Sequence, residues 1–194
     1  MDAILLDEPE YAWGAGIQLV YDSLLERGLS SMLNNDAESA LLDFQKAERI
    51  ARMMPDNATA LLVARLEQAR SLGLIDRTSE AVNLYEDIIL TNNLLALANE
   101  RNPDMYQQLL DAQALRADDN LGGAYIGYRE ALSNVVSLMD TLEYNVQAGD
   151  YLTWLARHYG TTSDLIQSTN KLLTRRLDQG DILTIPYLNA AAVP

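Results

Sequence analysis

Glu143-Tyr144-Asn145-Val146-Gln147-Ala148-Gly149-Asp150, continued by Tyr151-Leu152-Thr153-Trp154-Leu155-Ala156-Arg157-His158-Tyr159-Gly160, is the stretch on which the fold reading turns. Its first half alternates apolar and polar residues and ends on Gly-Asp, the pattern of a short strand running into a turn. Its second half is amphipathic at helical spacing and stops at Gly160, a residue suited to a left-handed C-cap. Thr161-Thr162-Ser163-Asp164 then supplies N-cap chemistry for a second helix, from Leu165 to Asn170 or a little beyond. After a linker, Leu177-Asp178-Gln179-Gly180-Asp181 reads as a turn, and Ile182-Leu183-Thr184-Ile185 as a final strand ended by Pro186. The order over residues 143–188 is strand, helix, helix, strand.

Upstream the character changes. From about Ala15 to Asp140 the chain is rich in Leu and Ala, with apolar residues recurring at helical intervals. In the stretch Ala37 to Met53, the residues Ala40, Leu41, Phe44, Ala47, Ile50 and Ala51 share one helical face, with mostly charged residues opposite. Ala60–Leu72, Ser79–Leu90, Met105–Ala117 and Leu121–Met139 follow the same rule. Asn34-Asn35-Asp36, Pro55-Asp56-Asn57, Asp76-Arg77-Thr78, Asn102-Pro103-Asp104 and Asp118-Asp119-Asn120 punctuate them with turn and capping residues. About six helices are predicted, joined by connections short enough to make neighbours antiparallel.

A repeat runs through these helices. Ala40-x3-Phe44-x2-Ala47 returns as Ala81-x3-Tyr85-x2-Ile88 and as Ala124-x3-Tyr128-x2-Ala131, at separations of 41 and 43 positions. Twelve residues before each stands a small residue: Gly28, Ala69 and Ala112. A small residue lets the first helix of a pair approach the second, and the aromatic ring fills the gap to the next pair. The arrangement resembles the tetratricopeptide repeat over residues 17–140, read as three helix pairs. Its period exceeds the usual ~34 residues, which suggests second helices that run on past the expected proline. The general alternative is an array of helical hairpins of no named family. Phe44, Tyr85 and Tyr128 are expected in the core. The resemblance implies a protein-binding concave face, which Arg65, Gln68, Gln108 and Gln113 could line.

The final module resembles the LysM domain. Tyr144-x-Val146-Gln147-x-Gly149-Asp150-x-Leu152 matches its opening strand and turn, and Leu155-Ala156-x2-Tyr159-Gly160-Thr161-Thr162 matches its first helix and the turn after it. Asn170 falls at the family's asparagine, and Leu177-x2-Gly180-Asp181-x-Leu183-x-Ile185-Pro186 matches the closing strand. The resemblance implies binding of N-acetylglucosamine-containing glycan, chiefly peptidoglycan or chitin, in a shallow groove between two loops. On this chain the first loop is Gly149, Asp150, Tyr151, Leu152 and Thr153. The second runs from Asn170 through Leu173, Arg175 and Arg176 to Leu177. Tyr151 replaces a small hydroxyl residue of the family and either stacks on a sugar or closes the groove. Trp154 is read as core or interdomain packing, and Thr169 replaces an aliphatic core residue. Lys171, Arg175 and Arg176 make a basic spot, either a partner for peptidoglycan carboxylates or a solvated charge run.

Composition limits the alternatives. Twenty-eight acidic residues against fourteen basic ones give a formal charge of −14, a field that repels nucleic acid and anionic membrane surfaces. With no cysteine and one histidine, thiol chemistry and the usual zinc ligand sets are absent. No apolar run reaches the roughly 18–20 residues of a membrane span, and the start Met1-Asp2-Ala3-Ile4 lacks the basic region of a signal peptide. No phosphate loop, serine elbow or hydrolase segment is present, so neither catalysis nor a metal or other cofactor is expected. Asn57-Ala58-Thr59 fits a glycosylation sequon that arises often by chance.

The expectation is a mostly α protein: a helical-hairpin array followed by a small βααβ module. Residues 1–16 form an N-terminal segment in which Ile4-Leu5-Leu6 and Tyr11-x-Trp13 could serve as a docking arm, and residues 189–194 form a tail. The expected role is a non-catalytic cell-envelope adaptor, binding glycan through the module and protein partners, or copies of itself, through the helices. The alternative is an assembly subunit whose LysM-like fold makes protein contacts in a filament, secretion or phage-like machine. Envelope or extracellular residence fits a targeting or anchoring segment outside this sequence, and a cytoplasmic chain is compatible with it too.

Overall fold

A computed structural model describes residues 9–188 apart from residue 56, with side chains from residue 16 onward. The described helical region contains seven α-helices: α1 Pro9–Leu33, α2 Ala37–Ala51, α3 Ala58–Leu74, α4 Thr78–Thr91, α5 Leu94–Arg101, α6 Pro103–Ala117 and α7 Leu121–Ala131. A 3-10 segment, Leu132–Leu138, leads into β1 Asp140–Asn145, α8 Leu152–His158, α9 Ser163–Thr169 and β2 Ile182–Tyr187. The fold is therefore mostly α, a helical region followed by a β-α-α-β module.

Asn and Asp write most of the boundaries. Asp36 accepts from the Ser39 amide at 3.0 Å, Asn102 from Met105 at 3.1 Å and Asn120 from Gly123 at 3.0 Å, capping α2, α6 and α7. Asn35, Asp76, Asn93 and Asp119 take left-handed backbone between successive helices, a conformation their short polar side chains tolerate.

Several boundaries differ from the periodicity reading. The first helix already begins at Pro9, whose fixed φ suits a first turn, so residues 9–16 extend the helix where a separate segment was expected. Ile4-Leu5-Leu6 and the tail 189–194 lie outside the described residues, as do the side chains of Tyr11 and Trp13. The long period does not come from prolonged second helices. Instead, α4 stops at Thr91 and α5 inserts an additional short helix before α6, which lengthens the spacing from Ala81 to Ala124, while the spacing from Ala40 to Ala81 takes in the 17-residue α3. The break has a local cause: Thr91 Oγ1 donates to the Asp87 carbonyl at 2.7 Å and Asn92 Nδ2 to that of Ile88 at 2.9 Å, and Asn93 turns left-handed at φ 51°. Leu121–Met139 is likewise not one helix. Ser133 Oγ donates to the Glu130 carbonyl at 2.6 Å, Asn134 leaves helical geometry, and the chain tightens into 3-10 turns. β2 continues through Pro186 to Tyr187, with Pro186 opposite Thr141. In a two-stranded sheet both strands are edges, so a missing N–H can face away from the ladder.

Packing explains the small-plus-aromatic repeat. Phe44 is fully buried in a cluster otherwise built of Tyr21, Leu25 and alanines at 40, 47, 51, 60 and 64. Gly28 lies so close that a Cβ there would fall 2.5 Å from the Phe44 ring. Gly73 plays the same part against Tyr125, where a Cβ would lie 2.1 Å from the ring. Tyr85, Tyr125 and Tyr128 then fill the larger core spanning α3 to the 3-10 segment, with ring centroids 6.1–6.2 Å from Tyr85.

The module has its own core of Val146, Leu152, Leu155, Ala156, Ile166, Leu183 and Ile185. Its strands pair antiparallel, Leu142 opposite Ile185 and Tyr144 opposite Leu183. It also docks back onto the helices. Ser163 Oγ donates to Asp22 on α1 at 2.5 Å, Arg175 bridges Glu26 of α1 and Asp164 at 2.6 and 2.7 Å, and the Leu188 amide donates to Thr59 of α3 at 2.9 Å. Arg101 of α5 holds the entry to β1 through Asp140 at 3.0 Å. Thr59, the last residue of the apparent sequon, is thus buried with its hydroxyl used inside the protein.

Candidate functional site

The side chains of the two loops divide into those that build the module and those it presents. In the first loop, Gly149 takes φ 93° at the turn, a conformation open to glycine at little cost. Asp150 Oδ2 accepts from the Tyr144 hydroxyl at 2.8 Å and from the Gln147 amide at 2.7 Å, so its carboxylate fastens the turn to β1. That hydrogen bond pushes the Tyr144 hydroxyl up to about 12. Leu152 is buried in the module core. Tyr151, by contrast, is 45 % exposed on extended backbone just before α8, and Thr153 is half-buried beside it.

In the second loop, Asn170 acts as a structural bridge. Its amide donates to the carbonyls of Ile166 at 2.8 Å and Thr184 at 2.7 Å, and its Oδ1 accepts from the Thr184 amide at 2.7 Å. One side chain thereby ties the end of α9 to β2. Leu177 packs against the module core, while Leu173 stands almost wholly in solvent at 98 % exposure. The expected basic spot is split. Arg175 is turned onto Asp164 and Glu26, whereas Arg176 and Lys171 are exposed, Arg176 standing 3.5 Å from Asp178. Thr169 carries a buried hydroxyl with no hydrogen-bond partner, the cost of a polar residue at a core position.

Both loops reach the same neighbour. Tyr151 and Thr153 line a cleft against Gly16 and Leu19 of α1, together with Trp154 and Arg157 of α8. Two turns further along α1, Glu26 receives Arg175. Between these points Asp22 is fully buried, and burial pushes its carboxyl up to about 6 despite the hydrogen bonds from Ser163 and Gln18. Asp164, and Glu67 on α3, are raised by burial too. Periodicity did not mark Asp22. The signal available was a polar pair at i and i+4, Gln18 and Asp22, set beside the apolar Tyr21 and Leu25.

Elsewhere the candidates separate. His158 is exposed and stacks on Trp154, with centroids 4.9 Å apart and planes 10° from parallel. Gln68 is buried and donates to Glu48 at 2.8 Å, and Arg65 pairs with Asp87. Gln108 is exposed and Gln113 half-buried on α6. Among the described residues there is no cluster of acidic, His or Cys side chains suited to a metal, and no helix long and apolar enough to cross a membrane.

Strand pairing, two short helices and the turn glycines define a small βααβ module stapled to a helical region. The LysM domain family matches residues 144–186, and these residues are a LysM domain. Comparison of the chain with curated proteins and with solved structures gives no match. A LysM domain points to binding of peptidoglycan or chitin and to association with a cell wall.

Proposed function

We propose that this protein is a non-catalytic cell-envelope adaptor: its LysM domain holds N-acetylglucosamine-containing glycan, and its helical region, read as tetratricopeptide-like, docks a protein partner. The observation that carries this reading is the LysM domain at residues 144–186. Support comes from how the turn is kept: Asp150 and Asn170 fix the two loops from within, leaving Gly149, Tyr151, Leu173 and Arg176 facing solvent. Backbone amides and carbonyls on such loops suit N-acetyl groups, and exposed apolar side chains suit sugar faces. On the helical side, the approach of Gly28 to Phe44 supports the repeat reading. A cleft of about 470 Å³, where Arg52, Arg65 and Asp87 stand beside the apolar Ala58, Leu61 and Leu62, offers a place for a peptide.

A second reading has its own observation. Ser163, Arg175 and Leu188 all engage the helices, so the LysM fold already makes protein contacts, as an assembly subunit would require. Co-sedimentation with insoluble peptidoglycan and with chitin separates the two. The adaptor reading expects the chain in the pellet, displaced by soluble N-acetylglucosamine oligomers. A chain that stays in solution with both polymers, yet self-associates on concentration, would replace it with the assembly reading.

A further inference from the structure

Asp22 and Glu26 stand one turn apart on the face of α1 that meets the module, and each holds a different part of it. Asp22 accepts from Ser163 Oγ, at the start of α9, at 2.5 Å, and Glu26 takes the Arg175 guanidinium, from the second loop, at 2.6 Å. Arg175 also reaches Asp164 of α9 at 2.7 Å, so one cation joins α1, α9 and the loop. The loop is anchored firmly at its two ends. At the near end the Leu172 amide donates to the Gln167 carbonyl at 3.0 Å, and Gln167 Nε2 donates to the Leu172 carbonyl at 3.2 Å. At the far end the Gly180 amide donates to the Val146 carbonyl at 2.9 Å, and the Val146 amide to that of Asp181 at 2.8 Å. Between these anchors, among the described residues, no backbone hydrogen bond joins 173–177 to another segment. Side chains fix the stretch instead: Leu177 packs on the module core, and Arg175 turns inward onto its two carboxylates. With Arg175 held in this way, Leu173 and Arg176 face solvent.

We infer that Glu26, on α1 and outside the LysM domain, is a positioning residue of the saccharide site: through Arg175 it holds the second loop in the shape that meets glycan. The inference rests on the glycan reading above. It gives the helical region a share in glycan recognition without a contact to the sugar, because a loop already held in its bound shape loses less freedom on binding. Linkage requires the converse, so bound glycan tightens the hold of the module on α1 by the same factor.

Glu26 is exposed, and replacing it leaves the packing of the core alone. Glu26→Lys turns attraction for Arg175 into repulsion, whereas Glu26→Gln keeps an oxygen that accepts from the guanidinium. N-acetylglucosamine oligomers are uncharged, so the altered protein charge does not by itself change their attraction from a distance. The affinity of the full chain for these oligomers, measured by calorimetry, is expected to fall about fivefold in Glu26→Lys. It stays near that of the unchanged chain in Glu26→Gln, and thermal unfolding is similar in all three. In an Arg175→Ala background, Glu26→Lys is expected to cause no further loss, because its effect passes through the arginine. If Glu26→Lys binds as the unchanged chain does, or loses the same factor with and without Arg175, Glu26 does not position the loop and the proposal is overturned, although the glycan reading survives. If the unchanged chain does not bind at all, the glycan reading itself falls and takes this inference with it.

Discussion

Phe44→Ala is expected to lower stability by about 3–5 kcal/mol, the usual cost of emptying a fully buried aromatic site. For a chain of this size that corresponds to a melting temperature lower by roughly 6–20 °C. Little at the centre can collapse inward, since the fully buried neighbours are mostly alanines and Tyr21 is anchored by its hydroxyl to the Ala60 carbonyl at 2.8 Å. The same geometry predicts non-additivity. Gly28→Ala alone pushes a methyl group into the Phe44 ring and is expected to cost about 1–3 kcal/mol by overpacking. In the Phe44→Ala background the added methyl group enters the vacated space, so the two changes together cost less than their sum. Equilibrium unfolding of the single and double variants measures this, and strict additivity would show that the Gly28–Phe44 approach is not what couples α1 to α2.

Asp22→Asn is expected to stabilise the protein at neutral pH and to leave it nearly unchanged near pH 4.5. Asp22 is fully buried between α1 and the module, and burial raises its carboxyl from the ordinary range to about 6. Between roughly pH 4 and 6 the folded chain holds a proton that the unfolded chain has released, so stability falls as pH rises through that window and levels off above it. The shift corresponds to about 2–3 kcal/mol lost by pH 7. Its surroundings act in the same direction: Asp164 and Glu67 are also raised by burial, while Arg175 opposes them and Glu26 takes part of Arg175. Asparagine keeps the shape and removes the buried charge, and it is expected to recover about 1–2 kcal/mol at pH 7.5. Denaturant unfolding at both pH values decides the matter. An equal loss at pH 4.5 and 7.5 would mean that the ionised carboxylate, held by Ser163 and Gln18, is the stabilising form.

What was legible in the sequence was local. Gly149, Gly160 and Gly180 sit at positive φ where the turns require it, and Thr162 caps α9 by accepting from the Leu165 amide, so the βααβ order could be read directly. Helix breaks set by side chains competing for backbone groups were harder. The end of α4 was legible near Leu90, but the eight-residue α5 beyond Asn92-Asn93 was not, and the break at Ser133-Asn134 after α7 was hidden because helical spacing continues across it. Contacts between distant positions left no local trace. Asp22 meets Ser163 and Leu188 meets Thr59 only because the chain folds back on itself. For the same reason the second loop could not be sorted in advance. Asn170 and Arg175 look like ligand contacts in a polar loop, but Thr184 and Glu26, their actual partners, are brought to them by tertiary structure.

Amide chemical-shift mapping of the full chain with soluble N-acetylglucosamine oligomers tests most directly whether the LysM domain is a working saccharide site. The expected result is saturable shifts concentrated on the amides of Gly149, Asp150, Tyr151 and Thr153 and on the 170–177 loop. Shifts absent at high oligomer concentration, or confined to the helical region away from these loops, would contradict it.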